Sequence, residues 1–389
     1  IRKERHGIVM KKHICRLLLA ALAVLCCGCA EALPDSPIII DSQAGTPSAS
    51  PDSTSTDNGQ SIVTEDDTLP PHSGMVRSYL TNEWIEPEVA EKRPVAVMIP
   101  NEASAIPHYN LSEASVLYEA NVEGRMTRMM AIFEDWESLN KIGNVRSLRN
   151  YYAYWAFEWD AYIVHIGGPF FINDLIDEET TDSIDENDWE GNLAFFRTGD
   201  RSTPHNAYVS GSGLAKAINK YGYSQTDRGL RDSYHYNFAG KAVPNTLQQY
   251  GENAMDAVYI DMSGCYPLTR CYFEYNEEDG LYYRSQHLVG GTDGPHTDGA
   301  TGKQLSFKNI LVQNVSYEEI GEGYLAFQVH DNTMDGWYFT NGKGIHVNWE
   351  KSSDYGATRY YDDAGNEIVM NTGKTMVCIV EKGDNFTFR

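Results

Sequence analysis

The chain has 389 residues, 31 of them Lys or Arg against 55 Asp or Glu, for a formal net charge of −24. That balance argues against nucleic acid as a partner, because a polyanion binder needs a basic face from which counterions are released. With 41% hydrophobic residues and 25 Tyr the composition is that of a globular protein, which excludes disorder over most of the length.

The first feature in chain order is an export signal. Met10 precedes Lys11-Lys12-His13 and Arg16, and the apolar run Leu17 to Leu25 ends in Cys26-Cys27-Gly28-Cys29. A basic head, an apolar stretch too short to span a bilayer and a small residue before cysteine make a bacterial secretory signal with a lipidation site. Cys29 is the expected lipid-bearing residue, with Cys27 the second candidate. Residues 1–9 read as upstream of the true start, and residues 1–28 as a signal peptide that is removed. The expected location is extracytoplasmic, with the chain anchored to the bacterial cell membrane through Cys29. The remaining acidic body is repelled by an anionic membrane surface, so the acyl chains supply the attachment. Residues 29–80 are read as the lipidated cysteine and a disordered tether. Within them, residues 30–76 contain no Lys or Arg and are dense in Ser, Thr, Pro, Asp and Gly. A flexible segment of that length reaches roughly 35 to 40 Å.

Residues 93–240 predict a mixed α/β domain. Val95 to Ile99, Val116 to Tyr118, Met129 to Phe133 and Tyr162 to Ile166 are strand-length apolar runs. Between them, Tyr152, Trp155, Ala156 and Trp159 fall on one helical face, more in keeping with a core than with a carbohydrate platform. A second helix is expected over Ser212 to Tyr221, with Leu214, Ala217 and Ile218 inward and Ser210 or Ser212 as its cap. Residues 256–389 predict a β-rich domain, with hairpins at Asp279-Gly280 and Asn341-Gly342 and further strands at Ile310 to Val315, Tyr324 to Val329, Thr358 to Tyr361 and Met376 to Val380. Beyond Cys29, the cysteines Cys265, Cys271 and Cys378 allow one disulfide at most, Cys265 with Cys271 being the nearest pair, or else buried free thiols.

Candidate chemistry concentrates in the first domain. Arg146 and Arg149 are three apart at a strand-to-helix passage, where the helix dipole is also positive. Either an anionic ligand or internal carboxylates such as Glu119, Glu123 or Asp160 must balance them. Arg128 and Arg201 join the expected anion-binding set, together with His205, Asn206 and the paired glycines Gly167 and Gly168, which permit close backbone approach. Glu123 and His165 are the candidate acid/base groups should the protein be an enzyme, a question the sequence leaves open. No zinc motif is present, and the acidic stretch Asp177 to Glu190 lacks the spacing of a calcium loop. The absence of a P-loop, a dinucleotide glycine fingerprint, His-Glu-x-x-His and Gly-x-Ser-x-Gly gives no support to any cofactor.

These residues carry a resemblance. Arg93-Pro94-Val95-Ala96-Val97-Met98-Ile99, Val122-Glu123-Gly124, Ile142-Gly143-Asn144-Val145-Arg146-Ser147, Val164-His165-Ile166-Gly167-Gly168 and Pro204-His205-Asn206 are similar to the YerB-type bacterial lipoprotein family. Tyr282-Tyr283-Arg284-Ser285-Gln286, Gly336-Trp337-Tyr338-Phe339-Thr340-Asn341-Gly342-Lys343 and Thr358-Arg359-Tyr360-Tyr361-Asp362 resemble that family's C-terminal module. The resemblance implies two domains of unknown function and a lipoprotein location, without a reaction. The chain departs from the pattern at Pro100, where the family usually has aspartate, and at Arg125, where a second glycine is usual. A fainter likeness to wall-polymer phosphotransferases of the LytR-CpsA-Psr type hints at ligand class only. Three functions follow as expectations. The first is binding of an anionic envelope ligand such as a lipid-linked pyrophosphate or wall fragment. The others are an enzyme acting on such a ligand, and a scaffold that binds wall-synthesis proteins.

Overall fold

A computed structural model describes residues 72–240, 243–331 and 334–389. The export signal, Cys29 and nearly all of the expected tether lie outside the described residues.

Six stretches of the first half set the frame: β1 (Val95–Asn101), β2 (Val116–Asn121), β3 (Thr127–Phe133), α1 (Asn150–Phe157), β4 (Tyr162–His165) and β5 (Ser183–Asp185). They are followed by α2 (Gly211–Tyr221). The second half adds β6 (Tyr259–Asp261), β7 (Cys271–Asn276), β8 (Leu281–His287), β9 (Asn309–Val315), β10 (Met334–Thr340), β11 (Lys343–Glu350) and β12 (Thr375–Glu381). The fold is mixed, with few helices and many strands, as the residue patterns predict.

The two halves share one sheet of 11 strands, in the order β11-β10-β9-β12-β2-β3-β1-β4-β5 with two short strands added at the β11 end. The seam is the parallel pair of β12 and β2, in register from Thr375 opposite Val116 to Ile379 opposite Ala120. On its other side β12 runs parallel to β9 over seven residue pairs, Asn309 with Thr375 through Val315 with Glu381. A strand covered on both faces and paired along both edges must be apolar throughout, and every residue of β12 is buried.

Alternation along each strand sends successive side chains to opposite faces. On one face Met98, Tyr118, Met130, Val377 and Tyr338 pack with α1, which is apolar all round. Trp155 and Trp159 are 1% and 0% exposed, so the aromatic stripe is core. On the other face Val97, Leu117, Ala131, Cys378 and Phe339 meet α2 and a second, six-stranded sheet built on β6, β7 and β8. Ser210 caps α2 by accepting from Gly213 N at 3.2 Å, and Gly222 ends it in the left-handed region at φ +73°. The β10–β11 turn uses Asn341 and Gly342, both with positive φ, as a two-residue hairpin demands. Cys265, Cys271 and Cys378 are all buried free thiols.

A polar chain crosses between the halves. Glu119 on β2 and Arg284 on β8 pair at 2.8 Å, both fully buried. The second Glu119 oxygen accepts from Asn101 Nδ2 at 2.8 Å and Thr127 Oγ1 at 2.6 Å. Arg284 Nη1 reaches Gln286 Oε1 at 2.7 Å and His296 Nδ1. His296 Nε2 lies 2.9 Å from His108 Nδ1, and His108 Nε2 lies 2.7 Å from the Pro100 carbonyl. That carbonyl can only accept, so His108 Nε2 carries a proton and each neutral ring passes donation one way, from Arg284 to Pro100. Burial pushes the His108 imidazole down to about 3 and His296 well below the usual histidine range, so both stay neutral.

Arg284→Met should cost about 3 to 5 kcal/mol by leaving Glu119 buried and unpaired, and adding Glu119→Leu should restore much of that loss. Urea unfolding of both variants checks this. Near the start of the described chain, Glu134 accepts from Ser78 Oγ at 2.6 Å. Burial pushes the Glu134 carboxyl from 4.5 to about 7, so the folded chain holds a proton there that the unfolded chain releases. Stability should therefore fall as pH rises through this window and level off above it. Glu134→Gln should remove that slope and gain roughly 2 kcal/mol at alkaline pH, read from unfolding midpoints across pH.

Candidate functional site

The four arginines come from three separate stretches. Arg128 is the second residue of β3, opposite Pro100 of β1 and Ala120 of β2. It lies on the α1 face, two residues before Met130, and its carbonyl accepts from Tyr152 Oη of α1. The segment 144–149 runs beside the far end of β1 and into α1. Arg146 N donates to Met98 O at 2.9 Å, and Arg149 is the residue that begins the helix.

Arg128 Nη1 donates to Ser147 O at 2.7 Å, and Arg149 Nη1 donates to the next carbonyl, Leu148 O, at 2.8 Å. The two guanidinium groups therefore grip consecutive peptide units. Arg149 is clasped by Glu123 in a two-pronged pair, Nε and Nη2 each 2.6 Å from a carboxylate oxygen. Glu123 is presented by the β2–β3 turn, where Gly124 and Arg125 both have positive φ. Arg125 fastens this turn to Glu381 at 3.3 Å and Asp384 at 2.7 Å. Arg128 has no carboxylate within ion-pair distance among the described residues; it is 8% exposed, and its Nε has no hydrogen-bond partner there. Burial, then repulsion from Arg149, pushes its guanidinium down to about 10.

A second group gathers on the turn after β1. Glu102 Oε1 lies 3.5 Å from both Arg146 Nη2 and His205 Nε2. His205 also meets Ser104 Oγ at 3.1 Å, and burial, followed by Arg146 and Arg201, lowers its pKa against the pull of Glu102. Arg201 donates to the carbonyls of Ala105 at 2.8 Å and Ile106 at 3.1 Å and has no carboxylate partner among the described residues. Asn206 faces elsewhere, accepting from Arg197 at 2.9 Å. Four arginines thus share two carboxylates, Glu102 and Glu123, within ion-pair distance.

The remaining expected residues serve the backbone. His165 is fully buried; Nδ1 donates to Gly167 O at 2.8 Å and Nε2 meets Ser183 Oγ at 2.8 Å, so both ring nitrogens are engaged, and burial lowers the ring's pKa. Gly167 has φ +59° and receives Leu148 N on its carbonyl at 3.0 Å. A Cβ on Gly168 would stand 2.2 Å from Ile172 Cδ1 and 3.1 Å from Leu148 O. The glycines therefore admit the arginine-bearing segment itself. Pro100 costs no ladder bond, because it faces the same side of β1 as Met98, where the segment 144–149 and not β3 is the partner. In the acidic stretch, Asp182 pairs with buried Arg93 at 2.5 Å and Asp185 accepts from Gly167 N at 2.8 Å.

Sequence reasoning missed the Glu119–Arg284 chain and a second buried cluster, in which Glu158 accepts from His235 at 2.8 Å and lies 3.4 Å from Lys351. Burial opposes ionisation of Glu158, but Lys351 and His235 outweigh it and hold the carboxyl at about 2. No local spacing announces these groups, since their members are far apart in sequence. Cavities of about 470 and 460 Å³ lie elsewhere, and none of the four arginines lines either.

A mixed sheet shared by an α/β half and a β-rich half, with an arginine-bearing passage into α1, defines a two-module protein of the kind the motifs suggest. The chain belongs to the family described as protein of unknown function (DUF3048): the N-terminal domain matches residues 80–224 and the C-terminal domain residues 262–377. It is 27% identical over 288 residues to the "Putative lipoprotein YerB" of Bacillus subtilis, covering 73% of this chain and 81% of that protein. The crystal structure of YerB protein from Bacillus subtilis matches with a TM-score of 0.65 at 26% identity, over 78% of this chain and 96% of that one.

The two arginines of the passage should differ in their effect on stability. Arg149→Met should cost about 2 to 3 kcal/mol, because it strands Glu123, whereas Arg146→Ala should stay within about 0.5 kcal/mol. Chemical denaturation of the two variants side by side distinguishes them.

Proposed function

We propose that this chain is an extracytoplasmic lipoprotein, anchored through Cys29, that binds an anionic ligand of the cell envelope through Arg128, Arg146, Arg149 and Arg201. A lipid-linked pyrophosphate or a wall fragment is the ligand class that fits. One observation carries the reading. Arg128 is a buried guanidinium with no carboxylate partner among the described residues, in a chain whose acids outnumber its bases. A buried unpaired charge is costly, and an anion on that side of the molecule would relieve the cost. Its neighbours support this, since Arg201 also relies on carbonyls alone and Arg146 has only a 3.5 Å contact with Glu102. Planar forks with unspent N–H donors suit phosphate oxygens.

Binding is favoured over catalysis on such a ligand. Glu123 is held in a two-pronged pair and His165 has both nitrogens engaged, so neither offers a free group for proton transfer. The test is titration of the full chain, in detergent, with a polyprenyl pyrophosphate analogue and with inorganic pyrophosphate. Wild type should bind saturably and Arg146→Ala should weaken binding by about tenfold or more. Absence of saturable binding, or equal binding by both proteins, would remove the proposal.

A further inference from the structure

The cavity of about 470 Å³ is built from both halves of the chain and lies apart from the arginines. Its charged lining consists of Lys303, Lys308 and Lys374 with Glu83, Glu113 and Asp279. The two signs are unequally placed. Lys308 and Lys374 are partly buried, whereas Lys303 and all three acids are exposed. The interior of the cavity is therefore basic and its mouth mainly acidic.

The interior amines have protons to give. Lys374 Nζ donates to the Ser112 carbonyl, and Lys308 Nζ donates to Gly280 O at 3.0 Å and Asn341 Oδ1 at 2.6 Å. Neither has a carboxylate within ion-pair distance among the described residues, and the nearest lysine–acid contact there is Lys303 with Glu113 at 3.8 Å. An ammonium carries three protons, so Lys374 keeps two uncommitted and Lys308 one. Burial holds both amines below the ordinary lysine range, which marks them as poorly solvated in the absence of an anion. Ser306 and Gln304 add neutral polar groups to the wall.

Charge decides the ligand class. A phosphate dianion entering here passes three carboxylates, whereas a zwitterion satisfies both sets, its anionic end on the amines and its cationic end among the acids. We infer that this cavity binds a small zwitterion of the amino-acid or short-peptide class, carboxylate on Lys374 and ammonium beside Glu113 and Glu83. The volume lies within the range of small-ligand sites.

The experiment titrates the full chain with dialanine, N-acetyl-dialanine and inorganic phosphate, followed by calorimetry. Dialanine should bind saturably, the acetylated form should bind several-fold more weakly for want of its ammonium, and phosphate should not displace dialanine. Lys374→Met should weaken dialanine by about tenfold or more, whereas Glu113→Gln should erase the preference for the free amine. Arg146→Ala should change nothing, which separates this site from the proposed anion site. Absence of saturable dialanine binding to wild type, displacement by equimolar phosphate, or unaltered binding by both variants overturns the inference. Should Lys374→Met fail to fold, Glu113→Gln decides alone: a retained preference for the free amine overturns the inference and a lost one supports it.

Discussion

The pairing of Glu119 with Arg284 is the contact on which the union of the two halves depends. Glu119 stands on the seam strand of the first half and Arg284 on the second sheet, and neither has any exposure to water. An isolated charge in that position is prohibitive, so each half leaves the other with an unanswered ion until they close together. The hydrogen bonds around the pair repeat this complementarity: Asn101, Thr127 and His108 come from one half, Gln286 and His296 from the other. Because the imidazoles stay neutral far into acid, the arrangement contributes specificity of docking and not a pH-operated release.

The same sheet explains where the arginines sit. β4 pairs with β1 only over Val95 to Val97, so the far end of β1 has an open side. The segment 144–149 occupies it and carries Arg146 and Arg149 to the start of α1, while the β2–β3 turn delivers Glu123 and the second residue of β3 is Arg128. Two of the four guanidinium groups thereby find carboxylates and two find only peptide carbonyls. The lysine cavity follows a different logic: Lys374 and Lys308, each just before its strand, β12 and β9, are partly buried beneath a rim of exposed acids. The molecule's excess negative charge thus encloses two local reversals of sign.

Much of the architecture was legible because it rests on local rules. Continuous apolar runs of strand length such as Val95 to Ile99 and Met129 to Phe133 are strands, the Asn341-Gly342 turn is a hairpin, and Ser210 caps a helix of the expected face. The arginines were legible as chemically unusual residues, and Glu123 was among the carboxylates expected to balance them, whereas Glu102 was not. Which arginine Glu123 clasps, and the approach of Glu102 to Arg146, are set by a turn and by a strand end, which spacing does not encode. His165 and the Gly167-Gly168 pair read as ligand-facing because a histidine beside glycines suits that role; their actual neighbours are Ser183, Ile172 and Leu148. Most hidden were Glu119, Arg284, His108 and His296, which meet only because a sheet and a second sheet stack across more than a hundred residues of sequence.

The place of β12 has a consequence for how the chain acquires its shape. This strand follows the other described strands of the shared sheet in sequence, yet it sits between β9 and β2 and supplies the missing edge of both. Until residues 375–381 arrive, β2 presents a bare row of amides and carbonyls to whatever is near. The first half therefore has no finished sheet to close upon before then. Completion of the shared sheet awaits residues 375–381, so a product truncated before them is left with an adhesive edge in place of an early, self-sufficient module.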